Sequence, residues 1–405
     1  MKKLIIITDL HMWSMEANKG GRAFITTVEA YLKEGWDLTI ISTGGGIPEH
    51  VRVNATIYEA SFPKVDKLYT SKNKLLRGAA KILKSRLINR FYYKTGSDVL
   101  SSASKGEVVL YAYEVAGVKA SKALSKKYHV PFVTRFQGTI IANEKDTFIN
   151  RFRFYPHFSA LSTPSDLVIM TNDGTQGLKA LKALGNNSKV EFLMNGVSIP
   201  QLPTSQERKE IRSELGFDDK FVFLTVSRLV PWKKVERAIL AFAKIHKQIP
   251  HSFLHIIGDG VSRSFLEEYA QKSGAAQNIV FHGAIEQLKV FKYMAASDVF
   301  LSLYDLSNVG NPLLEAMSCG KPIITLDNGD TSMFIKNMEN GILLPMTEVD
   351  NISDYMYRLY SDQSLAKSLG MTARKHAEEH FWSWEERMKH EILEVESLLN
   401  TKKEL

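Results

Sequence analysis

The stretch S-L-Y-D-L-S-N-V-G-N-P-L-L-E-A-M-S-C-G-K-P at residues 302–322 decides the reading of this 405-residue chain. The apolar run at 299–303 has the length and aliphatic character of a buried parallel strand. A polar turn follows and leads straight into a helix. Asn311 is placed to cap that helix, and Pro312 falls at its first position, where a missing N–H costs little. Strand, loop and helix in this order form the repeating unit of a doubly wound α/β domain. The turn would hold backbone N–H groups at a positive helix end, a place suited to a phosphate or a sugar hydroxyl. Its candidate binding residues are Ser307, Asn308, Val309, Gly310, Asn311 and Leu313. Glu315, one turn on, is placed to grip a diol such as a ribose. The bland alternative is a well-capped helix with a solvent-exposed Glu315.

The same pattern runs outward in both directions. Short apolar runs at 4–8, 38–42, 108–113, 131–136, 167–170 and 191–194 read as strands of a first half. A second series occupies 221–226, 253–257, 279–281, 299–303, 322–326 and 341–344. Segments 236–247, 263–272, 287–296 and 350–359 have helical spacing between them. The expectation is α/β throughout, with two Rossmann-like doubly wound domains. Polar, proline-bearing residues 199–220 mark the boundary. In open parallel sheets, ligands bind beyond the carboxyl ends of strands, and the motifs below all follow strands.

Bulk properties bound the function. The hydrophobic content of 44% over this length supports two full cores. A formal charge of +8 suggests a negative partner, with nucleotide phosphates, an anionic membrane and nucleic acid as candidates. The single cysteine, Cys319, excludes an internal disulfide and fits a reducing compartment. The apolar start is broken by Thr8, Asp9 and His11, so it reads as a first strand rather than a signal peptide. No run approaches the ~18 apolar residues of a membrane span. The expected location is cytoplasmic, with attachment to a membrane surface left open.

Three further groups of residues carry candidate chemistry. N-K-G-G-R-A-F at 18–24 follows the first strand and opens an amphipathic helix through Phe24, Val28, Tyr31 and Leu32. Gly20 and Gly21 permit close approach of an anion, or form an ordinary loop. S-R-L-V-P-W-K-K at 227–234 follows another strand. Arg228 can fork onto phosphate oxygens and Lys233 adds a point charge, or both are solvated. Gln137, at the end of a further strand, bonds either a sugar hydroxyl or local backbone. I-G-D-G at 257–260 lacks the third glycine of a dinucleotide fingerprint, since Arg263 stands there, which disfavours a nicotinamide enzyme. No D-x-D and no H-E-x-x-H occurs, so no metal cage is evident.

Residues 64–94 are strongly basic, with Asp66 the one acid. Leu76, Ala80, Leu83, Leu87 and Phe91 recur at helical spacing. Two readings stand: a helix lying on anionic lipid, or a helix whose apolar stripe faces the core.

Taken in order, these motifs resemble glycosyltransferase family 4, the retaining group 1 glycosyl transferases. The resemblance rests on Gly20-Gly21, N-G-V at 195–197, S-R-L-x-x-x-K, I-G-D-G, F-H-G, A-S-D-V-F and P-L-L-E-A-M-S-C-G-K-P. H-F-W-S-W at 380–384, before a final helix, also resembles the family. The resemblance implies a GT-B fold, with two such domains facing across a cleft. An acceptor-binding domain would span 1–198 and a nucleotide-sugar domain 199–380. A helix over 381–405 would cross back to the first domain. It implies transfer from a nucleoside-diphosphate sugar, UDP-sugar as first candidate, with retention and without a metal or other cofactor. Arg228 and Lys233 would hold the diphosphate, Glu315 the ribose, and Gly20 and Gly21 the phosphates from the opposite side. The acceptor would be a glycan or lipid-linked molecule, as in bacterial surface polysaccharide synthesis, with no nucleic acid partner.

Two positions depart from the family pattern. The first acid of E-x7-E is replaced by Ser307, and Gln137 stands where a histidine is frequent. Asp305, Asn308 and Asn311 are the candidate substitutes. These departures leave a second reading open: a catalytically silent GT-B subunit that binds nucleotide sugar or membrane.

Overall fold

A computed structural model describes residues 1–14, 21–69, 72–103, 107–142, 144–145 and 147–401. The chain forms two compact units. One comprises Met1–Thr171, Gln176–Met194 and Glu385–Leu405, the other Asn172–Thr175 and Asn195–Trp384.

The first unit is built on seven parallel strands: β1 (Lys3–Thr8), β2 (Asp37–Ser42), β3 (Thr56–Glu59), β4 (Val108–Tyr113), β5 (Phe132–Phe136), β6 (Leu167–Thr171) and β7 (Lys189–Leu193). Their order in the sheet is β3-β2-β1-β4-β5-β6-β7, so the direction of winding reverses between β1 and β4. Ile5 sits opposite Thr39 of β2 and Leu110 of β4. Burial on both faces explains the continuous aliphatic runs. Strand β3 was not expected. It is an edge strand with exposed side chains at three of its four positions, so burial left no apolar signal in its sequence.

Helices of this unit are α1 (Arg22–Lys33), α2 (Glu49–Arg52), α3 (Pro63–Tyr69), α4 (Lys74–Ser102), α5 (Val115–Tyr128), α6 (Phe148–Arg153), α7 (Tyr155–Leu161) and α8 (Gly177–Ala183). Helix α1 buries Phe24, Val28 and Tyr31 of the expected stripe and leaves its fourth member, Leu32, half-buried. The basic segment 64–94 is not one helix but α3 and most of α4. Only the later part of its apolar stripe packs inward. Ala80 is buried and Leu87 and Phe91 are half-buried, whereas Leu76 and Leu83 are exposed. Tyr92 is fully buried, and its hydroxyl donates to the Thr8 carbonyl at 2.6 Å. That bond fixes α4 at the carboxyl end of β1. Asp98 and Ser102 then line a cavity with Lys3, at the other end of the same strand. The turns before Tyr92 therefore overhang the sheet's carboxyl edge.

The second unit carries six parallel strands. In chain order its elements are α9 (Ser205–Glu214), β8 (Phe221–Val226), α10 (Glu236–Ile245), β9 (Ser252–Ile257), α11 (Arg263–Lys272), β10 (Ile279–Gly283), α12 (Gln287–Ala296), β11 (Val299–Ser302), α13 (Asn311–Ser318), β12 (Ile323–Asp327), β13 (Ile342–Pro345), α14 (Ile352–Ser361) and α15 (Gln363–His380). The sheet order β10-β9-β8-β11-β12-β13 reverses between β8 and β11. Phe223, Leu254, Ile239, Phe242 and Met356 meet in one core.

Residues 199–220, read from sequence as a polar boundary, contain α9. Thr204 and Glu207 close a reciprocal capping box at its start. Its Arg212 is buried and bonds the Ala296 carbonyl at 2.6 Å and Asp298 at 3.2 Å. Asp298 also accepts from the Val222 N–H at 2.8 Å. The polar composition thus serves a pinned helix.

The final helix, α16 (Trp384–Thr401), lies with the first unit from Glu385 onward. Its Glu391 is wholly buried and accepts from Tyr111 at 2.6 Å. Arg135 and Arg387, both also buried, bond the other carboxylate oxygen. Burial pushes the Glu391 carboxyl up, but the two guanidiniums outweigh it and hold it below the usual range.

Candidate functional site

In the second unit, the reversal between β8 and β11 brings two loops together. One is the S-R-L-V-P-W-K-K loop after β8, the other the turn after β11. Such a reversal is where a doubly wound sheet opens a ligand crevice.

Lys233 ends a single 3-10 turn, Pro231–Lys233, and is buried. Its Nζ donates to the carbonyls of Ser307 at 2.8 Å and Leu306 at 3.3 Å. It also lies over the Tyr304 ring, 4.2 Å from the centroid. Burial pulls the Lys233 ammonium down to about 7, against the opposing pull of Asp173 and with help from the Arg228 charge. Arg228 itself is exposed. Among the described residues nothing hydrogen-bonds or ion-pairs with its guanidinium. Two cations of one loop thus differ in setting, one buried against carbonyls and one open to solvent.

The turn after β11 is more occupied than the sequence implies. Gly310, not Asn311, is the N-cap of α13, and no side chain caps it. Asn311 is the first helical residue, and its side-chain oxygen accepts from Asn195 at 2.9 Å. Asn308 is buried, accepting from the Tyr304 N–H at 3.1 Å and donating to the Leu326 carbonyl at 3.3 Å. The Val309 N–H bonds the Asp173 carbonyl at 3.0 Å, and the Leu313 N–H bonds Gly310 at 3.0 Å. The Leu313 side chain is core. The N–H groups of Asn308 and Gly310 have no acceptor among the described residues. Glu315 is buried rather than solvent-exposed, and accepts from Gln287 at 2.5 Å.

Asp173 is the residue that sequence reasoning missed. It stands in the first half of the chain but groups with the second unit. Its carboxylate accepts from the Thr175 hydroxyl at 2.5 Å and hydrogen-bonds Ser307. Burial raises its pKa, while those bonds and Lys233 hold it back. The only sequence signal is an Asp-Gly turn directly after β6. Of the substitutes considered for an acid at 307, Asp305 is held by Arg237 at 2.7 Å, and Asn308 and Asn311 are bonded as above. Glycines allow the close approaches here. A Cβ on Gly329, at φ 63°, would lie 1.8 Å from the Gly174 carbonyl oxygen, and one on Gly258 would lie 1.8 Å from that of Ser227.

The first unit carries a smaller constellation at its own reversal. The Gly21 N–H bonds the His11 carbonyl at 3.1 Å. A Cβ on Gly21 would meet Leu10 at 2.7 Å and the Gln137 side chain at 3.0 Å. Gln137 donates to the Tyr113 hydroxyl at 2.8 Å, and its N–H bonds Glu114 at 2.7 Å. Gly21 and Gln137 are therefore neighbours. Gly20 lies outside the described residues. N-G-V at 195–197 packs as a turn, its Val197 N–H bonded to the Trp382 carbonyl at 2.9 Å. Among the described residues, Glu191, His390 and Glu394 come within 4.8 Å of one another. Lys189 ion-pairs with both carboxylates, which already compensates their charge.

Residues 207–376 match the family model described as glycosyl transferases group 1. Over this span the chain is similar to the glycosyl transferases group 1. The match covers the loops of Arg228, Lys233 and Glu315. A GDP-mannose-dependent alpha-(1-6)-phosphatidylinositol monomannoside mannosyltransferase of Mycolicibacterium smegmatis is 27% identical over 235 residues. That alignment takes in 56% of this chain and 61% of the relative. The N-acetyl-alpha-D-glucosaminyl L-malate synthase of Bacillus anthracis is 26% identical over 44% of this chain and 46% of its own. The chain thus spans under two thirds of these curated relatives.

Solved structures match over nearly the whole length. Sucrose-phosphate synthase from Thermosynechococcus elongatus superposes with a TM-score of 0.77 at 17% identity, over 99% of this chain and 100% of its own. Anabaena HepE in complex with UDP gives 0.73 at 17%, over 98% and 100%. These likenesses show the fold: two Rossmann-like halves of the GT-B type.

Proposed function

We propose that this chain acts as a group 1 glycosyl transferase and moves a sugar from a nucleoside-diphosphate sugar to a glycan or lipid-linked acceptor. The observation that carries this is the pair Arg228 and Lys233 on one loop at the β8/β11 reversal. One is buried on the Ser307 turn and the other is open. A diphosphate seated there would meet an exposed guanidinium and a buried ammonium whose proton is easily gained or lost. Glu315, buried one turn inside α13, would take the ribose hydroxyls.

In this reading the bond from the sugar C1 to the diphosphate oxygen breaks as the acceptor oxygen attacks on the same face. The acceptor's proton passes to the departing diphosphate, and the configuration at C1 is retained. Charge on the leaving group is met by Arg228, Lys233 and amide dipoles, with no metal and no other cofactor required. Gly21 and Gln137 are the first unit's own candidate residues for phosphate and sugar. UDP-sugars are the first candidates, supported by the UDP in HepE; GDP-mannose is the competitor, supported by the mannosyltransferase relatives. The 1–198 and 199–380 division into acceptor and donor domains is part of the same proposal. So are synthesis of a bacterial surface polysaccharide and work at the inner face of the cell membrane through residues 64–94. Among the described residues no helix is long and apolar enough to cross a membrane.

The test is a thermal-shift screen of UDP- and GDP-sugars, followed by transfer assays. A ligand that binds the folded chain raises its melting temperature. A stabilising donor whose sugar is transferred supports the proposal. Binding without transfer or hydrolysis for every donor would replace it with a silent binding subunit.

A further inference from the structure

The candidate site leaves unused the cavity between the later turns of α4 and the β1–β3 side of the first sheet. Its volume is about 540 Å³. That lies inside the range of roughly 300–1,000 Å³ typical of small-molecule sites, whereas packing gaps rarely exceed a water molecule. Strand register explains the hollow. Ile5, Thr39 and Thr56 stand abreast on β1, β2 and β3, so their side chains share one face. Those side chains shorten from Ile to Thr as the sheet runs to its edge, and α4 bridges the space above the two threonines.

The lining is polar and its charges balance. Lys3, at one end, is paired with Asp37 at 2.8 Å. Lys94 and Asp98 come from successive turns of α4, a spacing at which opposite charges on a helix can pair. Among the described residues neither side chain makes an ion pair or a hydrogen bond, so both are open to a ligand. The hydroxyls of Thr56, Tyr58 and Thr95 are likewise unengaged among the described residues. On the floor, the Thr39 hydroxyl is buried with no hydrogen-bond partner among the described residues. A buried hydroxyl left unmet costs stability, which marks this floor as built for something other than packing. The rings of Tyr58 on β3 and Phe91 on α4 complete the walls.

This lining names the class of ligand. An anion entering the cavity would meet the Asp98 carboxylate, and a cation the Lys94 ammonium. A neutral molecule rich in hydroxyls gains from both, donating to the carboxylate and accepting from the ammonium. The apolar face of a pyranose ring would lie against Tyr58 or Phe91. We propose that this cavity is a carbohydrate-binding site for uncharged sugar residues, distinct from the crevice at the β8/β11 reversal. It lies toward the amino end of β1, at Lys3, whereas Gln137 follows the carboxyl end of β5. A glycan held here is bound without being presented for reaction. The inference goes beyond the transferase reading and does not depend on it, because it rests on the lining alone.

The experiment is saturation-transfer NMR on the whole chain, with methyl α-glucopyranoside, methyl α-mannopyranoside and maltotriose as probes. UDP and GDP are present in excess to fill any nucleotide crevice. At least one sugar is expected to bind, with a signal that neither added inorganic phosphate nor rising salt removes. Thr56→Trp fills the hollow from an exposed edge position that favours aromatic residues, and should abolish binding. Asp98→Ala removes a charged acceptor and should weaken binding about tenfold or more. Circular dichroism melts matching the wild type would show both variants folded. Silence from all three sugars overturns the site. So does an undiminished signal in Thr56→Trp, which would place the sugar elsewhere on the chain, and so does displacement by phosphate, which would make the cavity an anion site. Sugar binding is read apart from transfer. A chain that binds a probe in the cavity but transfers no sugar counts against the transferase reading alone, and one that transfers sugar but binds no probe in the cavity counts against this site alone.

Discussion

The ammonium of Lys233 donates to the carbonyl oxygen of Ser307 at 2.8 Å, and Ser307 holds a left-handed backbone with φ 59°. A non-glycine residue in that region is costly and persists where its surroundings insist on it. Lys233 therefore organises the loop that is proposed to receive the donor. Replacing it with alanine removes both the proposed diphosphate contact and a support for the turn. Lys233→Ala is expected to lose donor affinity and turnover together, by about a hundredfold in kcat/KM. Steady-state kinetics with the donor found in the screen would check this.

The pH dependence of donor binding follows from the same burial. The free chain holds Lys233 at about 7 against an ordinary value of 10.5. Below about pH 7 the ammonium is already charged. Above it, seating a diphosphate must take up a proton, so affinity falls as pH rises, by up to about tenfold per unit. Calorimetric titration of nucleoside diphosphate at pH 6.5 and 8.5, in buffers of different ionisation heat, would reveal larger proton uptake at the higher pH.

Asp173 should move that curve. Its negative charge favours protonated Lys233. Asp173→Asn removes the charge while leaving a group that can still bond Thr175 and Ser307. The midpoint of the affinity profile is expected to shift to lower pH, with the melting temperature little changed. An unshifted profile would assign Asp173 to holding the turn alone.

Arg228 is exposed and free of protein partners among the described residues, so its loss leaves no orphaned group behind. Arg228→Ala should fold as the wild type does and lose about 2–4 kcal/mol of transition-state stabilisation. Near-native turnover in single-turnover assays would remove Arg228 from the site.

Glu391 should matter for stability rather than chemistry. Glu391→Gln leaves Arg135 and Arg387 buried without a counter-charge, at a cost of about 3–5 kcal/mol. Denaturant melts read this directly. Replacing all three partners with apolar residues should cost far less, since no unpaired charge remains.

The strand series was legible because burial on both faces of a parallel sheet writes aliphatic runs into the sequence. Edge strand β3 escaped because burial does not act on it. Helix α9 carried a readable signal, the Thr204–Glu207 box, but its prolines and charges argued for a linker. The candidate site was legible only as loops. Arg228 and Lys233 look alike in sequence. The 3-10 turn at Pro231–Lys233 buries one and leaves the other open, and no local pattern foretells which. Asn311 is a better capping residue than Gly310 by preference, yet its side chain serves Asn195 instead. Asp173 was invisible because the residues that tie it to the site, Lys233, Ser307 and Val309, come from the far half of the chain.

The Arg135–Glu391 pairing also sets a timetable for biosynthesis. Arg135 meets its counter-charge only when a residue 256 positions later has left the ribosome. Strands β1 to β7 emerge first, but their most buried cation stays unneutralised until the whole intervening second unit has been translated. The half that is made first is thus the half that matures last, which exposes it longest to chaperones and proteases.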